Sequence, residues 1–338
     1  METRKILENL INIDSQVNKT NKDIIRYISS QFPNSNKSLF PFSYEGIDSE
    51  NLIIKIKGKN NNLPVIFAGH TDTVDITEGW DTNPLSPLEK EGRLYGLGAS
   101  DMKGGLACMI EAAHLLDTQP KNDIYLIFDG AEENNSQGAN SLVKKLKYIK
   151  KGRVIIPEPF GKEIVYAQRG YFDLEISGLN LEQTEEVIEE IEKINSFLSS
   201  KKHELGNPFI KGTKIGENLK VERKLIPGED IRKEYNEILL SVQSVNKKIV
   251  ANNQFWNPPY EVPTTSGIVR ELQQIESTLL PSLKNSMGWT EAQIFGELGQ
   301  AVILGPGDYF TCHKANESID LNDLDFFSKL YLRFMKNL

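Results

Sequence analysis

Histidine and carboxylate residues recur in this sequence just past short apolar runs. Leu63 to Ala68 runs into Gly69-His70-Thr71-Asp72-Thr73, and Ile124 to Phe128 runs into Asp129-Gly130-Ala131-Glu132-Glu133. Arg153 to Ile156 leads to Pro157-Glu158-Pro159, and Ala301 to Leu304 leads through Gly305-Pro306-Gly307-Asp308 to Cys312-His313. A fifth stretch, Gly96-Leu97-Gly98-Ala99-Ser100-Asp101-Met102-Lys103-Gly104-Gly105, sets one carboxylate between two glycine pairs. It passes at once into a helical pattern of Leu106, Met109, Ile110 and Ala113. Glycines allow sharp turns and close packing, so Asp101 is expected to stand rigidly at the mouth of a helix. A glycine-rich loop in that position can also cradle a phosphate, but neither the dinucleotide spacing nor a Gly-Lys-Ser/Thr ending is present. Two histidines with several carboxylates suit Zn²⁺ or a similar divalent ion. Of the adjacent pair Glu132/Glu133, one can ligate while the other takes a proton from water.

The spacing adds detail. His70 and Asp72 are two residues apart, and alternation along an extended chain puts such side chains on one face. The Asp72 carboxylate is therefore expected to hold the far imidazole nitrogen, as a metal-bound histidine requires. A capping aspartate beside a satisfied histidine is the bland alternative. Glu158 between two prolines has a stiff backbone on both sides, which is unusual for a solvating acid.

These groups need a scaffold. His70, Glu132/Glu133, Glu158 and His313 each lie just beyond the carboxyl end of a short apolar strand in a different strand–loop–helix unit, the edge at which ligand sites form in open α/β sheets. The expected fold is α/β, a mixed and largely parallel sheet flanked by helices. Before it, residues 3–31 read as helical, with Ile6, Leu7, Leu10 and Ile11 and, after a polar break, Ile24, Ile25 and Ile28. Leu52 to Ile56 reads as a further strand, turned by Asn60-Asn61-Asn62. Residues 163–261 differ: Phe172, Leu174 and Ile176 alternate with polar residues, as in a strand with one wet face. Amphipathic helices follow at Val187–Leu198 and Ile231–Val242, giving strand–helix–strand–strand–helix–strand, an α+β insertion. The domains expected are 1–162 with 262–338, and 163–261.

The chain has 338 residues, 39% of them hydrophobic and 25% charged, with a formal net charge of -8. That balance argues against a nucleic-acid partner, which calls for a basic stripe. No apolar window is long enough for a membrane span, and the first residues lack a secretory apolar run. Two cysteines, Cys108 and Cys312, build no disulfide framework, and the expected location is the reducing cytoplasm. Cys108 and His114, on the helix after Asp101, read as structural.

Taken together, the His70–Asp72 segment, Tyr95 to Gly105, Glu132-Glu133, Glu158-Pro159 and His313-Lys314-Ala315-Asn316-Glu317 resemble the di-zinc amidohydrolases. That family includes acetylornithine deacetylase, succinyl-diaminopimelate desuccinylase, aminoacylase and carboxypeptidase G. The resemblance covers the expected catalytic domain, with the motifs in matching order. It implies that Asp101 bridges two metal ions, with His70 and Glu158 completing one site and Glu133 and His313 the other. It also implies that Glu132 is the general base, Asp72 the partner of His70, and the Asp101–Met102 peptide cis. The ions implied are zinc, with cobalt or manganese as substitutes, and the implied substrate is a small N-acyl amino acid such as N-acetylornithine. A desuccinylase or an aminoacyl dipeptidase is the nearest alternative, and a metal-holding binding or regulatory protein is the alternative of another class. The insertion is implied to be a lid, with a homodimer possible through it.

The lid departs from the family pattern. Family members carry a His-Ser segment after its first strand, whereas here Ile176-Ser177-Gly178-Leu179-Asn180 passes straight into a helix. His203 is the lid's single histidine, and a solvated helix end is its plainer reading. Arg223 or Lys224 fills the place of the family's lid arginine before Pro227-Gly228, and Arg169 is a third candidate substrate contact. The family's Gly-Thr-Asp reads Trp289-Thr290-Glu291 here.

Overall fold

The computed structural model describes residues 2–149, 151–247, 249–253, 255–283 and 289–338. The chain forms two compact units, Met1–Tyr166 with Val262–Ser282 and Ile294–Leu338, and Ala167–Glu261 with Leu283–Gln293.

The first unit is built on an eight-stranded sheet. Its order is Asn36–Tyr44, Ile47–Ile56, Asn122–Asp129, Asn60–His70, Gly152–Ile156, Gly299–Ile303, Glu163–Val165 and Leu280–Ser282. The Asn60–His70 strand pairs parallel with Asn122–Asp129 on one side and Gly152–Ile156 on the other, and Gly152–Ile156 pairs parallel with Gly299–Ile303. Those four strands are buried apolar runs, as strands covered on both faces must be, and they share one carboxyl edge. The Ile47–Ile56 strand joins antiparallel, so the sheet is mixed and largely parallel. The Lys103–His114 helix crosses it and is buried from Lys103 through Ala112.

Two local expectations change. The apolar pattern of 3–31 resolves into two helices, Glu2–Ile11 and Lys22–Ser30, because the polar break at 12–21 is a non-helical connection in which Gln16 bridges Thr73 and the chain then turns to Lys19. The strand Asn60–His70 begins at the three asparagines rather than after them. An edge hairpin strand, Asn36–Tyr44, went unread in the sequence, although Phe40, Phe42 and Tyr44 alternate with exposed residues in its second half.

The second unit is built on a five-stranded antiparallel sheet ordered Phe209–Ile215, Asn218–Leu225, Gly170–Ser177 and Val250–Asn252, with Trp256–Asn257 also pairing on Gly170–Ser177. Helices Leu181–Leu198 and Ile231–Val245 pack their apolar stripes on the face that carries Phe172, Leu174 and Ile176. Asn180 and Gln183 form a reciprocal capping box that starts the first helix immediately after the Gly178 turn. Residues 283–293 cluster with this unit, where Thr290 and Gln168 exchange two hydrogen bonds of 2.8 and 3.0 Å. That pairing joins sequence neighbourhoods no local pattern connects. Among the described residues no helix is long and apolar enough to cross a membrane.

Candidate metal centre

His70 ends its strand fully buried, with Nδ1 2.9 Å from the Asp72 carbonyl oxygen. An Nδ1–H donated there leaves Nε2 with its lone pair pointing at Asp101 Oδ1, 3.2 Å away, and Glu158 Oε1, 3.5 Å away. The Asp72 side chain does something other than expected. Its Oδ1 is 3.7 Å from Nδ1, while its two oxygens accept the backbone N–H groups of Glu132 and Glu133 at 3.2 and 3.1 Å. The alternation argument stops at His70 because the strand stops there. Beyond it the chain turns, so the Asp72 carbonyl orients the imidazole and its carboxylate anchors the next loop.

Asp101 lies where the loop from Gly96 enters the buried helix, and its peptide bond to Met102 is cis. Its Oδ2 is 3.2 Å from Nε2 of His313, and that nitrogen is 3.0 Å from Glu133 Oε1. The ligand atoms of His70, Asp101 and Glu158 thus lie within 4.8 Å of one another, as do those of Asp101, Glu133 and His313. Asp101 belongs to both sets. Glu132 joins His70 and Glu133 in a third such group. Packing forces the loops together: a Cβ at Gly105 or at Gly305 would come within 2.2 Å of the Pro157 carbonyl oxygen. Only glycine lets the Asp101 helix and the Gly305 loop close on the peptide preceding Glu158. His313 itself has a left-handed backbone, φ 59°, a conformation that non-glycine residues hold mostly where the surroundings impose it.

The electrostatics follow from crowding. Burial, then the Asp101 charge, pushes Glu158 up to about 7. Burial raises Glu132 well above the usual carboxylate range and raises Glu133 as well, each with neighbouring carboxylates adding to the effect. Hydrogen bonds to Asp101 and Glu133 push His313 up to about 11. Asp101 runs the other way: burial opposes its ionisation, but both imidazoles hold it well below the usual range. Four carboxylates, mostly or wholly buried, converge on two imidazole Nε2 atoms, and the burial and mutual repulsion that raise three of them favour cations among them. Two histidines and shared carboxylates are the donors that a pair of divalent ions takes, so the residues present fit two such ions.

The other residues singled out in the sequence have the following surroundings. Arg223 is fully buried in the second unit, its Nη2 donating to Glu229 Oε1 at 3.0 Å and Glu234 Oε2 at 2.6 Å. Lys224 lies over the Tyr171 ring, 5.0 Å from its centroid. Arg169 donates to the Asn207 carbonyl at 2.5 Å and lies over Phe209. His203 accepts the Leu205 N–H at Nδ1, 3.1 Å, with Nε2 3.8 Å from Glu261. Helix Leu181–Leu198 ends before His203, which therefore belongs to a turn. His114 packs on Phe32 and bonds the Gln31 carbonyl, and Cys108 is a buried thiol against the Leu324 carbonyl. Sequence reasoning assigned no role to Glu317, whose buried carboxylate is bonded to the Asp101 loop. Its position four residues after His313 was the only available signal.

The chain is similar to the acetylornithine deacetylase of Buchnera aphidicola subsp. Schizaphis graminum, 29% identical over 98% of this chain and 97% of the relative. It is 26% identical to the succinyl-diaminopimelate desuccinylase of Buchnera aphidicola subsp. Cinara cedri, over 83% of this chain and 85% of that one. Its fold matches an M20 family metallo-carboxypeptidase from Sulfolobus solfataricus, with a TM-score of 0.77, 18% identity, and 100% and 99% of the two chains covered. The model for peptidase family M20/M25/M40 matches residues 66–337, a range that holds every residue of the metal centre described above, and the chain belongs to that family of metal-dependent hydrolases.

Proposed function

We propose that this protein hydrolyses the amide bond of a small N-acyl amino acid, N-acetylornithine first among candidates, with two divalent ions, zinc first. The observation that carries the reading is Asp101, whose two oxygens face the Nε2 atoms of two different histidines, each with its own further carboxylate. His70, Asp101 and Glu158 would hold one ion, and Asp101, Glu133 and His313 the other. Ions so held polarise an amide carbonyl and acidify a water.

The chain's own groups supply the rest. Glu132 is placed by its backbone N–H on Asp72 Oδ1, 3.2 Å away, and as general base it takes a proton from the attacking water and delivers it to the leaving nitrogen. The Asp72 carbonyl fixes the His70 tautomer, so that Nε2 ligates rather than donates. Arg169 and Lys224 are assigned to an anionic group of the substrate, which a guanidinium holds in a fixed fork. Arg223, engaged by two glutamates, is not.

The relative named acetylornithine deacetylase covers nearly the whole chain, which supports this substrate over the desuccinylase and dipeptidase alternatives. A protein that only held metal would need the ligands but not Glu132. The test is turnover of zinc-loaded protein on N-acetylornithine, N-succinyl-diaminopimelate and a set of dipeptides. Hydrolysis of N-acetylornithine above the others supports the proposal. Preference for either other class reassigns the substrate, and no hydrolysis of any of them refutes it. The cytoplasm and a homodimer through the second unit belong to the same proposal, tested by fractionation and by light scattering.

A further inference from the structure

Resting on the reading of Asp101 as the carboxylate shared by two ions, we infer that Glu317 is a positioning residue for Asp101. It does no chemistry itself and sets the peptide from which that side chain hangs. Glu317 is 2% exposed. Its Oε2 accepts the Gly98 N–H at 2.8 Å, and its Oε1 accepts the N–H groups of Ser100 and Asp101, each at 2.8 Å. Its carbonyl accepts the Gly96 N–H at 3.1 Å. The loop therefore wraps around one carboxylate, its amide groups converging as in backbone anion nests.

A short ladder puts Glu317 there. Ser318–Asp320 pairs antiparallel with Arg93–Tyr95, with Ser318 opposite Tyr95, so Glu317 stands where the Gly96 loop begins. The turn also requires Gly98, whose φ is +77° and whose absent side chain would meet Thr73 and Lys103. Glu317 is four residues beyond His313, and the segment between includes a second left-handed residue, Asn316 at φ 62°. One side chain thus ties the loop that carries Asp101 to the loop that carries His313, whose ring is 3.2 Å from Asp101 Oδ2.

A scaffold role alone does not explain the choice of a carboxylate. A neutral acceptor would satisfy backbone N–H groups without placing another negative charge beside Asp101. The carboxylate adds bonds roughly twice as strong as neutral ones and two oxygens to serve three donors. That strength is called for where the carboxylates of the metal-free site push one another apart. The buried Lys103 ammonium, which donates to the Ile13 carbonyl at 3.0 Å, lies in the helix that follows and offsets part of the charge. Glu317 holds the Asp101 loop in its ligating position before any ion arrives.

The experiment compares the unsubstituted protein with Glu317→Gln and Glu317→Asp. The readouts are zinc and cobalt(II) affinity by calorimetric titration, the visible spectrum of the cobalt form at saturation, kcat and KM, and the thermal midpoint in chelator. In Glu317→Gln an NH2 group replaces one acceptor and faces a loop N–H. Metal affinity should fall by about 10- to 100-fold, as for partners that orient metal ligands. The saturated cobalt spectrum should change, and kcat should fall while KM stays within about threefold. Glu317→Asp keeps the charge but reaches fewer donors, and its values should lie between the two. Unchanged zinc affinity together with an unchanged cobalt spectrum in Glu317→Gln overturns the inference, whatever happens to its thermal midpoint. If that variant does not fold, Glu317→Asp is judged by the same two readouts. Failure of the unsubstituted protein to bind either metal overturns the metal-centre reading instead, and so is distinguishable.

Discussion

Arg223→Ala isolates the claim that this arginine is structural. The guanidinium is buried without any exposed surface and bonds to two glutamates whose side chains are only 8% and 16% exposed. It also donates to the Lys224 carbonyl. Removing one side of a buried ion pair strands the other, at a typical cost of 3–5 kcal/mol. Two features adjust that figure. Lys201 is 2.7 Å from Glu229 and 4.0 Å from Glu234, so the stranded charges keep one cation, which pulls towards the lower end. Arg223 is also among the largest fully buried side chains of the described residues, and its loss leaves a cavity, which pulls upward. About 4 kcal/mol is the expected loss, all of it in the second unit. Urea unfolding followed by tryptophan fluorescence can read it, because Trp256 packs on Phe172 and Tyr235 in the core of that unit. Adding Glu234→Gln should restore about 1–2 kcal/mol by removing one stranded charge, a coupling expected of groups in one network. Zinc affinity should be unchanged, since both candidate ligand sets belong to the first unit. A loss below about 1 kcal/mol in Arg223→Ala, accompanied by a collapse in turnover, would refute the reasoning and return Arg223 to the substrate.

Glu132→Gln should keep metal content and thermal midpoint while turnover falls at least about a hundredfold; if Glu133→Gln instead keeps the metal and abolishes turnover, the two roles are exchanged. Asp101→Ala should cost both ions in metal analysis, and retention of one ion would show that the carboxylate is not shared. Gly105→Ala places a methyl 2.2 Å from the Pro157 carbonyl oxygen; it should destabilise by about 1–3 kcal/mol as overpacking does and weaken zinc binding through Glu158, and normal zinc affinity would show that the Glu158 loop yields freely. Hydrogen bonds from Arg333 and Thr278 depress the Glu276 carboxyl from 4.5 to about 2. A depressed folded-state value contributes stability that is present above 4.5 and lost as pH falls towards 2. The midpoint gap between the unsubstituted protein and Glu276→Gln should be level at pH 6–8 and narrow below about 4.5; a gap that widens on acidification would reverse the sign.

The order of the chemistry was readable without a structure because it is local. Three of the apolar strands end at or within a few residues of a ligand-type side chain, at His70, Glu132/Glu133 and Glu158, and parallel strands in one sheet must bring those ends to one edge. His70, Asp101, Glu133, Glu158 and His313 were therefore nameable from spacing and resemblance, and the insertion from its change of period. What depended on long-range contacts was not. The three asparagines at 60–62 looked like a turn, yet Asn60 begins the strand and pairs with Asn122. Asp72 looked like a histidine partner, but its carboxylate bonds amide groups about sixty residues away, at Glu132 and Glu133. Arg223 occupied the position of a substrate contact and proved to be closed between Glu229 and Glu234. Glu317 gave no signal of its role beyond its place four residues after His313, because its donors at Gly98, Ser100 and Asp101 lie more than two hundred residues earlier. Sequence spacing determines which residue types follow which strand. Which donor a buried carboxylate faces is decided only when distant segments pack, since burial then requires every polar group to find whatever partner the fold has brought within reach.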